Sequence, residues 1–197
     1  ERFLRNVRGS SETTLKRVTV LPSMVVHLEL DKPAFAYESG QYCFINCPAI
    51  SQHEWHPFTI SSAPEQENLA FHIRCAGDWT EKLREMFVAD EKSGVVKEPK
   101  DQFGDDIIIR VDGPFGTCAE YVYNFEYIML VAAGIGVTPY VSLLKHFKHM
   151  LVNPSKHSRQ LRVKKCFFYW INRDKGSWEW FSDMLDELES SYPDFFQ

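Results

Sequence analysis

The residues best suited to chemistry in this chain of 197 residues lie in four short stretches. Gly134-Ile135-Gly136-Val137-Thr138-Pro139 follows an apolar run and opens a helical pattern. Glycines at such a turn let backbone N–H groups approach a pyrophosphate, and the helix start favours its negative charge. The pattern is G-x-G-x-x-P rather than the full G-x-G-x-x-G, and a tight strand-to-helix turn needs glycine even without a nucleotide. The next apolar strand ends in Tyr169-Trp170-Ile171-Asn172-Arg173-Asp174, where an adenosine ribose would lie. An acid there accepts from a free 2′-hydroxyl, whereas an arginine accommodates a 2′-phosphate. Arg173 comes first, which favours NADPH over NADH; the alternative is a surface ion pair with Asp174 or another acid.

Two further stretches fall in the first half. His72 and Arg74 stand two apart on a strand pattern and so share a face, while Phe71, Ile73 and Cys75 point to the other side. Gly77-Asp78-Trp79-Thr80 follows at once and starts a helix, so this corner is a second diphosphate cradle or an ordinary polar outer face. His56-Pro57-Phe58-Thr59 belongs to a strand dense in polar groups, with Ser61 and Ser62 close behind.

The elements that must position these residues come in two kinds. Up to about residue 120 the patterns read as short strands. Met24, Val26, Leu28 and Leu30 alternate with Val25, His27, Glu29 and Asp31; Gln41 to Cys47, Phe58 to Ser62, Leu69 to Cys75 and Ile107 to Val111 follow. Asp112-Gly113-Pro114 reads as a turn. One helix interrupts them, with Trp79, Leu83, Met86 and Phe87 on one stripe and Asp78 with Glu81 as a capping box. Strands at this spacing predict a small antiparallel β-barrel. Beyond Ala119 to Asn124 the character changes. Tyr127 to Ala133 is a continuous apolar run, as for a strand buried on both faces, and Thr138 to Leu151 is helical. Cys166 to Ile171 is a second buried strand, and Ser177 to Leu188 a second helix with Trp178, Phe181, Leu185 and Leu188 on its stripe. Strand, helix, strand, helix opens a parallel α/β sheet. The expected division is a barrel over residues 1–120 and a partial Rossmann-like α/β unit over 121–197.

Composition excludes several classes. Net charge is −5, which argues against a nucleic-acid partner, and no apolar run reaches the roughly 20 residues of a membrane helix. The five cysteines, Cys43, Cys47, Cys75, Cys118 and Cys166, contain no C-x-x-C pair and read as buried thiols. Charge is blocked: basic residues dominate 1–17 and 145–165, acids dominate 174–194. Each block is a solvated face or a docking surface. His146 and His149 read as solvated, since Lys145 and Lys148 flank them.

Taken in order, His56-Pro57-Phe58-Thr59, His72-Ile73-Arg74, Gly77-Asp78-Trp79-Thr80, Asp112-Gly113-Pro114-Phe115-Gly116, Gly134 to Pro139 and Phe168-Tyr169-Trp170 through Glu179-Trp180-Phe181 resemble the cytosolic dehydrogenase part of the NADPH oxidases, itself similar to ferredoxin–NADP reductases. The resemblance implies FAD and NADPH as cofactors. His56, Pro57, Phe58 and Thr59 would line the flavin, with Thr59 near its reactive edge. His72, Arg74, Trp79 and Thr80 would hold the FAD diphosphate. Gly134, Ile135, Gly136, Thr138 and Pro139 would meet NADPH, and Arg173 its 2′-phosphate. No catalytic side chain and no metal is expected, because FAD carries the redox step. Haem would lie in a membrane part of the same polypeptide, with dioxygen reduced to superoxide or hydrogen peroxide. Regulatory protein or calcium-binding domain partners are implied as well. The chain would sit on the cytosolic side of a membrane, the plasma membrane for the parent protein, with Arg2, Arg5 and Arg8 near the lipid surface. A ferric-chelate reductase of the same superfamily and a catalytically silent docking domain are the rival readings. Only 73 residues follow residue 124, about half a nucleotide domain, which predicts a C-terminally truncated chain with little NADPH oxidation of its own and an uncovered second strand.

Overall fold

A computed structural model describes residue 5 and residues 13–90, 95–96, 107–116, 119, 121–154 and 161–197. In the first part, β1 (Thr14–Leu21), β2 (Val25–Asp31) and β5 (Leu69–Arg74) form one antiparallel sheet, and β4 (His56–Thr59), β3 (Tyr42–Asn46) and β8 (Arg110–Phe115) form another. Ile60, just past β4, bridges Phe71 on β5 and joins the two sheets. Alternation explains which side chains fill the space between them: Val26, Leu28 and Leu30 from β2, Cys43 and Ile45 from β3, Phe71 and Ile73 from β5, and Val111 from β8 are all buried in one core. Helix α1 (Asp78–Phe87) closes this core with Trp79, Leu83 and Phe87, and β6 (Val88–Asp90) pairs with the short β7 (Val95–Val96).

Several expectations shift here. Met24 does not continue the buried stripe; it sits exposed in the β1–β2 turn, where Ser23 and Met24 both have positive φ. The last barrel strand starts at Arg110 rather than Ile107, and Asp112-Gly113-Pro114 lies inside it instead of forming a turn. A β-carbon on Gly113 would stand 2.8 Å from Cys43 Sγ, so the glycine serves close strand packing there. The cap of α1 is Gly77, not Asp78. Thr80 Oγ1 accepts from Gly77 N at 3.2 Å and from Ala76 N at 3.1 Å, and donates to Gly77 O at 2.8 Å, so Thr80 takes the part expected of Glu81. Cys43, Cys47, Cys75 and Cys166 are buried free thiols; Cys118 lies outside the described residues.

The second part pairs β9 (Tyr127–Ala133) in parallel with β10 (Lys165–Ile171), and α2 (Thr138–Val152) supplies the crossover such a pair requires. A 3₁₀ turn at Gly134–Val137 precedes α2. Helix α3 starts at Ser182 and runs to Ser191, later than expected, because Lys175–Trp180 forms a separate 3₁₀ segment that leaves Trp178 exposed. Helices α2 and α3 cover one sheet face through Leu143, Leu144, Phe147 and Leu188 against Ile128, Leu130 and Cys166. The other face carries Tyr127, Met129, Val131, Tyr169 and Ile171, all exposed, so the strands are buried on one face and not on both. A run apolar at every position cannot distinguish the two cases. β10 is not uncovered along its edge: Cys166 N donates to Phe195 O at 2.7 Å, and Phe168 N to Gln197 O at 2.9 Å.

The two parts meet along a buried seam. Val25 of β2 and Leu21 of β1 pack with Ala132, Val137, Val141, Trp170, Trp180 and Phe181 of the second part. Among the described residues no helix is long and apolar enough to cross a membrane.

Candidate functional site

Strand β4 divides the His56 to Thr59 stretch between two faces. Tyr42 lies opposite Thr59 and Phe44 opposite Pro57, while the core residues Cys43 and Ile45 lie opposite Phe58 and His56. Directly opposed residues share a face. Thr59 and Pro57 therefore join Tyr42, Phe44 and Phe115, three rings whose centroids lie 5.6–5.8 Å apart. His56 and Phe58 instead turn toward Trp79, at ring distances of 4.5 and 6.1 Å. One flat ligand cannot touch all four residues through their side chains. The outward aromatic group was not singled out in the sequence, although Tyr42 and Phe44 stand at strand spacing.

His72 and Arg74 share a face, as their spacing requires, but not an environment. His72 is buried: Nδ1 lies 2.8 Å from Ser61 Oγ, and its ring packs on His27 at 4.2 Å and on Phe181 at 4.5 Å. It belongs to the seam and has no open side for a diphosphate, which corrects the expectation for it. Arg74 is exposed at the end of β5, beside Gly77 and the start of α1. Trp79 is 4% exposed, and its Nε1 is buried with no hydrogen-bond partner among the described residues. Thr80 spends its hydroxyl on the cap, so it offers a ligand only its backbone. Arg74, Gly77 and Trp79 with His56 form the barrel's candidate corner.

In the second part the Gly134 to Pro139 loop is open at its glycines. Gly134 has φ +52, and a β-carbon on Gly134 or Gly136 would meet nothing within 4 Å. Trp170 Nε1 donates to Gly134 O at 2.9 Å and holds the loop from below. Ile135 is partly buried in the seam, Pro139 stands in the first turn of α2, and Thr138 is buried with Oγ1 donating to Ile135 O at 3.2 Å. Thr138 thus shapes the loop rather than facing outward, unlike the role expected for it. At the tip of β10, Arg173 is exposed and makes no ion pair with Asp174. Asn172 Nδ2, which the sequence did not single out, is buried and unpartnered among the described residues.

The basic block of 145–165 is not one surface. Lys145 is drawn into the seam and donates to Ser61 O at 3.2 Å; burial pushes its pKa down to about 8. Lys148 pairs with Glu187, and Lys164 with Glu126 at 3.0 Å. His146, expected to be solvated, pairs with Glu65 across the seam at 2.6 Å. Arg5 lies over the Phe44 ring at 3.6 Å and 3.7 Å from Asp112, on the barrel, whereas Arg2 and Arg8 lie outside the described residues.

Residues 10–119 match the family described as FAD-binding domain, and residues 125–197 the one described as Ferric reductase NAD binding domain. The chain belongs to the FAD-binding domain family. It is 43% identical over 96% of its length to a superoxide-generating NADPH oxidase heavy chain from Dictyostelium discoideum, of which it covers 36%, and 42% identical over 96% of its length to NADPH oxidase 1 of Mus musculus, of which it covers 29%. The chain therefore spans about a third of the curated relatives it matches. In fold it is similar to ferredoxin-NADP+ reductase from Plasmodium falciparum, with TM-score 0.66, 17% identity and coverage of 94% of this chain and 67% of that one. A ferredoxin NADP+ reductase from Neisseria gonorrhoeae, solved with bound FAD and NADP, gives TM-score 0.67 at 12% identity, covering 93% of this chain and 64% of that one.

The FAD-binding domain presents features that fit an anionic dinucleotide. Arg74 supplies an exposed cation, the start of α1 supplies backbone donors, and Trp79 Nε1 is a buried donor in want of an acceptor. The NAD-binding domain presents the open Gly134 and Gly136 backbone and the spare Asn172 amide.

The seam between the two domains also makes stability depend on pH. Burial, with the nearby Lys145 and Arg17 cations adding to it and Glu29 opposing it, holds His27 down to about 4, and burial holds His72 well below its ordinary 6.5. Both imidazoles are neutral in the folded state near pH 5–6, while the unfolded chain binds protons there. Stability that is complete above pH 6.5 is therefore lost as pH falls toward 4, and Lys145 adds a rise with the same sign between about 8 and 10.5. Urea midpoints at pH 7, 6 and 5 are expected to fall in that order and to flatten in His27→Phe. An equally steep profile in the variant would remove His27 from this account.

Proposed function

We propose that this chain takes up NADPH and FAD on its two domains and moves electrons from NADPH toward haem in a membrane part of the same polypeptide, for the reduction of dioxygen to superoxide or hydrogen peroxide. The supporting observation is the pairing of two nucleotide-compatible corners on domains docked through one buried seam. Relatives named as superoxide-generating oxidases over nearly the whole chain support the same reading. When bound, FAD supplies the conversion of a two-electron donor into single-electron output. The residues do the positioning. Arg74, the start of α1 and Trp79 Nε1 hold the FAD diphosphate, with His56 and Phe58 on the same side. Thr59 and Pro57 face the neighbouring aromatic surface. The Gly134 to Gly136 backbone receives the NADPH pyrophosphate, and Arg173 its 2′-phosphate. We place the division between the two domains at residues 120/121, the chain on the cytosolic side of a membrane, and a regulatory or calcium-binding partner outside it.

Adding FAD to the purified chain is expected to give a stoichiometric flavin complex by absorbance. An absence of FAD affinity would favour a silent docking domain instead. The description of the second matched family favours ferric-chelate reduction as the other enzymatic reading. Superoxide-dependent dye reduction against ferric-chelate reduction in the full-length protein separates the two. In the full-length protein, Arg173→Ala is expected to narrow the NADPH-over-NADH ratio of kcat/KM by about tenfold, the typical worth of one hydrogen bond to a charged group. An unchanged ratio would mean that another side chain reads the 2′-phosphate.

A further inference from the structure

Asp174 follows Arg173 beyond the end of β10, and a carboxylate free to turn toward a ribose there would accept from a free 2′-hydroxyl and repel a 2′-phosphate. The structure gives that carboxylate other work. Ser23 Oγ, on the β1–β2 turn of the flavin domain, donates to Asp174 Oδ2, and Gly176 N donates to Oδ1 at 3.1 Å. The turn is seated by two more hydrogen bonds, Trp180 Nε1 donating to Pro22 O at 2.8 Å and Ser177 Oγ to Ser23 Oγ at 3.2 Å, and it packs so closely on Gly176 that a β-carbon there would come within 3.1 Å of Pro22 Cβ. Ser23 and Met24 hold positive φ values of 63° and 59°, a conformation that non-glycine residues adopt at a cost. A three-residue turn with two such residues, pinned by the facing domain, presents the Ser23 hydroxyl at one fixed place.

We propose that Ser23 is a specificity-determining residue: from the flavin domain it ties down Asp174 of the nucleotide domain, so that exposed Arg173 meets the 2′-phosphate without a competing carboxylate. This rests on the NADPH reading above and goes beyond it, because it puts part of the cofactor preference on the domain that does not bind NADPH. It also couples preference to domain docking, since a seam that opens releases Asp174.

The test uses the FAD-loaded chain, with 2′-phospho-AMP and AMP as probes and calorimetric affinities as the readout. The wild type is expected to prefer 2′-phospho-AMP. Ser23→Ala is expected to lower that preference about fivefold, the effect of one released like charge some 4 Å from the phosphate in water. Adding Asp174→Asn to Ser23→Ala should restore it, and Ser23→Thr should keep it. Asp174→Asn alone should change it less than twofold, because Ser23 and Gly176 already hold the charged carboxylate turned away from the Arg173 side. AMP affinity rising in Ser23→Ala while FAD affinity holds would distinguish this role from general loosening. A wild type that prefers 2′-phospho-AMP, with the preference unmoved in Ser23→Ala, overturns the proposal and leaves the NADPH reading standing. A wild type that binds both probes alike overturns the NADPH reading and the proposal with it. Should Ser23→Ala fail to fold, Asp174→Asn decides by itself: a severalfold gain in preference shows a free carboxylate and overturns the proposal, and no gain supports it.

Discussion

Phe181→Ala is expected to destabilise the protein by about 3–5 kcal/mol, the usual cost of emptying a buried phenyl site. Phe181 is buried between the domains, its ring 4.5 Å from His72 and 5.9 Å from Trp170. Behind it lie Val25, Ala132, Val137 and Val141, so no single element can move in to close the gap. The loss should fall on the seam. His72 would gain access to water, and the pressure that keeps it neutral would weaken. Urea unfolding should therefore show a lower midpoint and a shallower dependence on acid pH than the wild type. Phe181→Leu, which keeps most of the volume, should recover most of the stability. If Phe181→Ala lowers the unfolding free energy by less than about 1 kcal/mol, the domains are held elsewhere and the seam is not a principal source of stability.

Arg74→Ala should weaken FAD binding by about 1.5–3 kcal/mol, roughly tenfold to 150-fold in Kd. Arg74 is the exposed cation of the barrel corner, and the same strand end puts its charge near Asp174. Nothing in the barrel core depends on its side chain, so thermal unfolding without FAD should change little. That separation is the check: a fall in FAD affinity at constant apo stability marks a ligand contact. Unchanged affinity would mean that this corner is solvated surface and that the diphosphate sits elsewhere. Arg74→Lys should fall between wild type and alanine, because an ammonium keeps the charge without the planar fork.

Much of the fold was legible because local pattern and tertiary position agree. The alternation at Val26, Leu28 and Leu30, and the stripe at Trp79, Leu83 and Phe87, each name a core face, and each is buried. The Gly134 to Pro139 turn was legible because a positive φ at a strand-to-helix junction asks for glycine whatever surrounds it. His72 was misread because its spacing gives the face and not what covers that face. The covering side chain, Phe181, lies 109 positions away in the sequence. The same gap explains Lys145 and His146. Both look like members of a basic helix surface, yet one reaches Ser61 and the other Glu65 on a different domain.

From the order of its residues alone, this chain settles its two-part architecture and the family it resembles, because strand and helix periods and short glycine-rich turns are properties of consecutive residues. Only the folded molecule decides which polar groups stay open to a ligand. His72, Thr80 and Thr138 are committed to protein partners, while the Arg74 and Arg173 side chains stay exposed and the space in front of Gly134 and Gly136 stays open. The physical reason is that availability depends on burial and on competing hydrogen bonds, and those come from residues that meet only when the two domains dock.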